Sequence, residues 1–134
     1  MIYDPTHNPR RRQAPTPRPD YVIVQNGRVC SILDAKYRDL WEHDLHAHWL
    51  YQLAIYAFSQ PEKMDATILY PTMEEAREAR IELHEPVYGT GRARVVLRPV
   101  NLIRLEQLIT GERNVVAGLA PARSFARWLA FGDD

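Results

Sequence analysis

The feature that most constrains this chain is a hairpin pattern close to its start. Two runs rich in β-branched residues, 21–25 and 28–33, flank the dipeptide Asn26-Gly27. Both residues of this dipeptide tolerate the positive φ that a tight reversal between strands requires. The pattern therefore predicts two neighbouring antiparallel strands. Because both faces of each run are mostly apolar, we expect the pair to be central in a sheet that is covered on both sides.

Further along the chain, helix and strand patterns alternate. A helix is expected from about Leu45 to Ser59, with Asp44 as its N-cap, and a short buried strand from Ala66 to Tyr70. The remaining predicted elements are a short helix opened by a Thr72/Glu75 capping box, a hairpin of strands 81–87 and 92–100 in which Pro86 marks an edge strand, a helix from Asn101 to Thr110 ended by Gly111, and an amphipathic helix over 121–131. This order predicts an α/β fold in which helices flank a mixed sheet.

Composition limits the classes to which the chain can belong. Its 134 residues have no net charge and are 46% apolar, as is typical of one globular domain. Residues 1–18 are rich in proline and arginine and predict an extended arm, so the folded domain is expected over 19–134. No apolar stretch approaches the roughly 18 residues of a membrane span, and the start lacks the apolar region of a signal peptide. A single cysteine, Cys30, excludes an intrachain disulfide and fits the reducing cytoplasm.

Asp34 and Lys36 are the first candidates for chemistry. They lie two residues apart at the end of the second predicted strand, so their side chains project from the same face. A carboxylate there suits a hard cation such as Mg²⁺, and a neighbouring amine can orient a water molecule or stabilise charge that develops on a phosphate. The triplet alone is a weak motif, since it occurs often by chance. The alternative is a pair of unrelated strand-end charges that form an ion pair.

Asp20 joins this pair only in one register of the hairpin. A two-residue turn at Asn26-Gly27 would direct Asp20 away from Asp34. A three-residue loop over 25–27, with Gly27 at positive φ, would bring Asp20 to the face of Asp34 and Lys36. We therefore predict the bulged three-residue loop, which gathers two carboxylates and one lysine at one end of the sheet.

Gln52 and Tyr56 extend the same candidate site. They lie four residues apart on the predicted helix and share one of its faces. Because this helix follows the strand of Asp34 directly, it can set both side chains over the carboxylates. The alternative is that Tyr56 belongs to the core and Gln52 to the surface.

Four short segments, taken in order, resemble a known family. Arg18-Pro19-Asp20, Leu33-Asp34-Ala35-Lys36-Tyr37, Leu50-Tyr51-Gln52-Leu53-Ala54-Ile55-Tyr56-Ala57 and Leu69-Tyr70-Pro71 are similar to the nuclease domain of McrC-like proteins. These are the cleaving subunits of modification-dependent restriction systems and belong to the PD-(D/E)xK superfamily. The resemblance covers about residues 18–71. It implies a restriction-endonuclease-like fold and a metal-dependent DNA endonuclease.

The resemblance also implies a role for each candidate residue. Asp20 and Asp34 would bind Mg²⁺ or Mn²⁺, and Lys36 would assist the attacking water. Gln52 and Tyr56 would form the helix motif that lies beside the site and touches DNA or supports the metal. Because the family nuclease is coupled to a nucleotide-driven motor, DNA and such a motor subunit are the expected partners.

The sequence departs from the family in two places. The family helix commonly has an acidic residue three positions before the glutamine, where this chain has Trp49. The superfamily core also begins with a helix, often carrying a glutamate, for which the arm before Pro19 provides no counterpart. Two alternatives to the McrC-like nuclease therefore stay open. One is a catalytically inactive nuclease-fold module that binds DNA or a protein partner, and the other is a recombination exonuclease that uses the same Q-x-x-x-Y motif.

Three further groups of side chains allow both a functional and a structural interpretation. The arginines at 10–12 and at 92, 94 and 98 are candidates for phosphate contacts or a solvated surface. His43, His46 and His48 cluster as zinc ligands do, but i and i+2 positions of a helix diverge, which favours solvated or capping histidines. Phe125, Trp128 and Leu129 form one helical stripe that is expected to pack on the sheet or to make a homodimer contact.

Overall fold

The computed structural model describes residues 4–60, 65–84, 87–89, 92–111 and 119–133. In this part of the chain, three α-helices flank a five-stranded mixed sheet, which confirms the predicted α/β fold. The elements are β1 (Tyr21–Gln25), β2 (Arg28–Ala35), α1 (Ala47–Phe58), β3 (Asp65–Thr72), β4 (Ala79–His84), β5 (Arg92–Asn101), α2 (Leu102–Gly111) and α3 (Leu119–Phe131).

The strands lie side by side in the order β1, β2, β3, β5, β4. β2, β3 and β5 are mutually parallel, whereas β1 and β4 are antiparallel to their single neighbours. α1 connects the parallel neighbours β2 and β3, because parallel strands need a crossover connection. β4 and β5 form the second predicted hairpin, with β4 at an edge as expected. Pro86, on which that expectation was based, lies outside the described residues.

The main core lies between α1 and one face of the sheet. Tyr56 and Ala57 follow Leu53 by three and four residues, so the three form one buried stripe along α1. The strands present to this stripe Ile32, Ala66, Ile68, Tyr70, Ala93 and Val95. Since Ile32 and Asp34 alternate with Leu33 along β2, Asp34 projects from the same face as this core.

The opposite face of the sheet is covered by α3. Phe125 is buried, while Trp128 and Leu129 are half-buried. Arg98 projects from this face and donates a 2.7 Å hydrogen bond through Nη1 to the backbone oxygen of Leu129. The prediction that the C-terminal stripe packs on the sheet is therefore confirmed.

β1 is an edge strand, so the prediction of a central hairpin covered on both sides is wrong for β1. β2 lies inside the sheet, and its residues Ile32, Leu33 and Asp34 are buried. Tyr21, Val22 and Val24 of β1 are exposed. α1 lies mainly over β3 and β5, away from β1. β-branched residues suit an exposed strand as well as a buried one, so composition alone does not distinguish an edge from a centre.

The helix starts were predicted with mixed success. α1 begins at Ala47 after His46, whose side chain makes no capping bond, so the predicted N-cap at Asp44 is wrong. Asn101 does cap α2, because its Oδ1 accepts a 2.9 Å hydrogen bond from the N–H of Arg104. Among the described residues, no helix is both long and apolar enough to cross a membrane.

The segment after β3 is not the short helix that was predicted. Residues 73–78 have no helical structure. Thr72 Oγ1 accepts a 3.1 Å hydrogen bond from the N–H of Glu74, two residues on, instead of the N–H three residues on that a capping box requires. Such a local bond stabilises a turn and competes with a helix start.

Candidate active site at the end of β2

The turn between β1 and β2 sets the positions of the candidate carboxylates. Asn26 (φ 52°) and Gly27 (φ 74°) both have left-handed conformations and form a two-residue turn. The predicted three-residue loop is therefore wrong, although Gly27 has the expected positive φ. A bulge at Cys30 of β2 then shifts the register by one residue.

Because of this bulge, Asp20 and Asp34 project from the same face of the sheet. A two-residue turn without a bulge would place them on opposite faces. Beyond it, Tyr21 lies opposite Leu33, and the same register places Asp20 opposite Asp34. Opposite residues of an antiparallel pair project from the same face. In addition, Asp20 Oδ2 accepts a 2.8 Å hydrogen bond from the N–H of Ala35. Asp20 and Asp34 therefore lie together as expected, but through a different register.

Asp34 is a buried carboxylate with free bonding capacity. Only 2% of the residue is exposed. Its Oδ2 forms an ion pair with Lys36 Nζ and has no other polar partner among the described residues. A carboxylate oxygen ordinarily accepts about two hydrogen bonds, and buried ones are seldom left short of them. Asp34 can therefore accept a further cation or donor.

Gln52 and Tyr56 lie against this charged group. Gln52 Nε2 donates a 2.7 Å hydrogen bond to Tyr56 Oη. Burial raises the pKa of the Tyr56 phenol above its usual 10.0, although the hydrogen bond from Gln52 opposes this rise. Among the nearby charges, Asp34 raises the pKa further, Lys36 lowers it and Asp20 raises it. Tyr56 therefore lies within electrostatic reach of Asp20, Asp34 and Lys36, and Gln52 is hydrogen-bonded to it. Tyr56 is at the same time a member of the core.

Sequence reasoning did not identify one member of this cluster, Trp49. Lys36 Nζ lies 5.3 Å from the centroid of the Trp49 ring, a cation–π distance. Trp49 precedes Gln52 by three residues, so helical spacing alone places both on neighbouring positions of one face. That spacing was the available clue, but a tryptophan with this spacing also fits a core position.

The donor set fits a hard divalent cation. Mg²⁺ in proteins is commonly held by one or two carboxylates, with water and substrate phosphate completing its shell. Asp20 and Asp34 are the residues that would hold such an ion, and the bonding capacity that Asp34 Oδ2 retains beside its ion pair with Lys36 supports this. Within the described ranges, no three His, Cys, Asp or Glu side chains are arranged to hold a metal. His46 instead stacks against His48, with ring centroids 5.6 Å apart.

The arginines of β5 do not belong to this site. Arg98 is buried and pairs with Glu78 at 2.8 Å, and Arg94 lies 3.7 Å from Asp65. Together with Arg92 they project from the face covered by α3, opposite to Asp34. These three arginines therefore lie apart from the carboxylate cluster, on the other face of the sheet. The arginines at 10–12 are exposed and stay candidates.

The N-terminal arm runs beside the candidate site. Pro15, Thr16 and Pro17 line a groove of about 380 Å³ together with Tyr51 and Gln52 of α1. This groove places the proline-rich arm beside the helix that carries Gln52.

Comparisons of the sequence with protein-family models and with curated proteins find no match, and a comparison of the fold with solved structures finds none either.

Proposed function

We propose that this chain is a metal-dependent DNA endonuclease domain, similar to the nuclease of McrC-like restriction systems. The observation that carries this function is the convergence of Asp20, Asp34 and Lys36 on one sheet face beside Gln52 and Tyr56. These are the residues to which the sequence resemblance assigns metal binding and water activation.

The two carboxylates and the lysine have complementary tasks in phosphodiester hydrolysis. Asp20 and Asp34 would hold Mg²⁺ or Mn²⁺, and the ion supplies a more acidic coordinated water when bound. Lys36 carries the positive charge that can orient the attacking water and stabilise charge on the scissile phosphate. Burial of Asp34 strengthens these interactions, because charges act more strongly where water is excluded.

Tyr56 and Gln52 support the same reaction. The Tyr56 oxygen already accepts a hydrogen bond from Gln52, so its own proton is available to a carboxylate or phosphate oxygen. A phenol is neutral at physiological pH even at its usual pKa of 10.0, and burial raises the pKa of Tyr56 further, so Tyr56 can donate. This pair would therefore orient oxygen ligands and would not transfer the proton of the attacking water.

Substrate and partner follow from charge and from the resemblance. The molecule has no net charge, so DNA binding would depend on local contacts, for which Arg10, Arg11 and Arg12 of the arm are exposed. A nucleotide-driven motor subunit is proposed on the resemblance alone. We place the enzyme in the cytoplasm, in keeping with a chain that has only one cysteine.

A plasmid cleavage assay with Mg²⁺ or Mn²⁺ tests this function. The wild-type chain should cut closed circular DNA, and Lys36→Ala and Asp34→Asn should each lower the rate by about 10²- to 10³-fold. Asp44→Asn, which removes an exposed carboxylate outside the cluster, is the matched control and should retain full activity. Equal cleavage by wild type and Lys36→Ala would refute the assignment.

The inactive DNA- or protein-binding module is favoured by one observation, the ion pair between Asp34 and Lys36. Two charges that satisfy each other can stabilise a fold without any metal. In that case the same assay would show no cleavage, while retention of DNA or of a partner would persist in Lys36→Ala. A strong preference for linear over closed circular DNA would instead indicate the exonuclease alternative.

A further inference from the structure

The ammonium of Lys36 has two neighbours of different chemistry. On one side is the Asp34 carboxylate, and on the other is the face of the Trp49 ring at 5.3 Å. Only 16% of the Lys36 side chain is exposed, although it ends in a charge that water solvates strongly. A long, flexible lysine at a strand end would otherwise sample many rotamers, so these two contacts determine where the amine points.

The Trp49 ring is itself held in place. The centroid of its ring lies 4.8 Å from that of His46, with the two rings perpendicular at 89°. It lies 5.5 Å from the ring centroid of His48, with the two rings inclined at 66°. His46 Nε2 accepts a 2.8 Å hydrogen bond from Arg38 Nη1, which ties the loop after β2 to the start of α1. Trp49 also packs against the main core, so its ring has little freedom to turn away from Lys36.

The geometry points to Trp49 as a positioning residue that holds the Lys36 ammonium toward Asp34, an inference that rests on the proposed function. A ring face attracts the amine only while it is protonated, and it attracts without offering a hydrogen-bond acceptor. The ammonium protons therefore remain available to Asp34 and to the reacting groups. A carboxylate at the same place would compete for those protons, so tryptophan preserves the lysine as a donor.

The contact between Trp49 and Lys36 can be tested without metal or DNA, through the rate at which Lys36 is acetylated. The chain has two lysines, Lys36 and Lys63, so the acetylation rate of one can be referred to the other by mass spectrometry. Trp49→Met keeps a long apolar side chain without a ring face, and Trp49→Gln is a second non-aromatic variant in case the first does not fold. Either change should raise the Lys36/Lys63 labelling ratio by roughly three- to thirtyfold, the range that corresponds to loss of a partly desolvated cation–π contact.

Two matched variants separate positioning from packing. Trp49→Phe retains a ring face and should keep the labelling ratio within about twofold of wild type. Trp41→Met makes the same chemical change at a tryptophan that is 48% exposed in the neighbouring loop, and it should leave the ratio unchanged. Circular dichroism establishes that each variant is folded. A folded Trp49→Met or Trp49→Gln protein with the wild-type ratio would overturn the inference.

Cleavage kinetics provide the second measurement. Because Lys36 acts on the reacting groups, Trp49→Met should lower kcat and leave KM within about twofold, and Trp49→Phe should restore most of kcat. If no form of the chain cleaves DNA but the labelling ratio changes as expected, the positioning role stands and the nuclease function fails. If Lys36→Ala abolishes cleavage while Trp49→Met changes neither ratio nor kcat, the nuclease function stands and the positioning role fails.

Discussion

The carboxylate of Asp20 accepts a 2.8 Å hydrogen bond from the backbone N–H of Ala35, the residue between Asp34 and Lys36. One side chain thus fastens the end of the arm to the end of β2 and also contributes the second carboxylate of the cluster. These two roles respond differently to substitution, because asparagine keeps a hydrogen-bond acceptor and loses the charge, whereas alanine loses both.

Asp20→Asn should separate metal binding from stability. Without metal we expect its free energy of unfolding to lie within about 0.5 kcal/mol of wild type, while Asp20→Ala should be destabilised by about 1 kcal/mol. Mg²⁺ at a hundredfold excess over its Kd should stabilise wild type by about 2.7 kcal/mol and Asp20→Asn far less. Thermal unfolding with and without Mg²⁺ measures both effects. An equal Mg²⁺ response in the two proteins would exclude Asp20 as a ligand.

Glu78→Gln should destabilise the attachment of α3. Burial alone would raise the pKa of Glu78, but hydrogen bonds from Arg98 and Arg80 outweigh it and hold the pKa below the usual 4.5. Arg98 is only 4% exposed, so losing its partner leaves a buried cation and should cost about 3 kcal/mol in urea unfolding at pH 7. Asp65→Asn, which breaks the longer and more exposed pair with Arg94, should cost at most about 0.5 kcal/mol.

The same pair gives the molecule an acid dependence. Because the pKa of Glu78 is lower in the folded state, its contribution to stability is complete above about pH 4.5 and is lost as the pH falls through the folded-state value. The free energy of unfolding of wild type should therefore fall below pH 4.5 more than that of Glu78→Gln, as measured from unfolding curves at successive pH values. Parallel curves for the two proteins would contradict this.

Gly132→Ala should also be destabilising, by about 1–2 kcal/mol. Gly132 follows α3 with φ +78°, a conformation that costs alanine about this much. An added Cβ would lie 2.5 Å from Arg98 Nη2, and Arg98 has no room to move because Glu78 and Leu129 bind it. Gly111→Ala is the control, since its Cβ would meet none of the described residues within 4 Å and its φ is ordinary. Equal melting temperatures for the two variants would contradict the expected clash.

Tyr70→Phe should change stability only at high pH. Burial, followed by the charge of Asp39, raises the pKa of Tyr70 from 10.0 to about 12. The unfolded chain therefore releases this proton first, and its contribution to stability, complete below pH 10, is lost as the pH rises toward 12. Urea unfolding at successive pH values should show a smaller alkaline loss for Tyr70→Phe than for wild type. A loss of the same size would mean that Tyr70 ionises as it does in water.

Much of the fold and of the candidate site was readable from local pattern. The Asn26-Gly27 reversal, the common face of Asp34 and Lys36, and the pairing of Gln52 with Tyr56 depend on residues that are close in sequence. Their geometry follows from strand and helix periodicity, which any surrounding structure preserves. For the same reason the cap at Asn101 was predicted correctly.

Long-range packing decided the rest. Which strand lies at the edge depends on how α1 packs across β3 and β5, and the composition of the strands does not indicate that packing. The bulge at Cys30, which reverses the consequence of the two-residue turn for Asp20, adds one residue without any glycine or proline to mark it. The contact of Trp49 with Lys36 likewise joins a helix to a strand end across a loop. Such features result from small differences in packing energy between distant elements, so they exist only once the whole sheet and its helices are assembled.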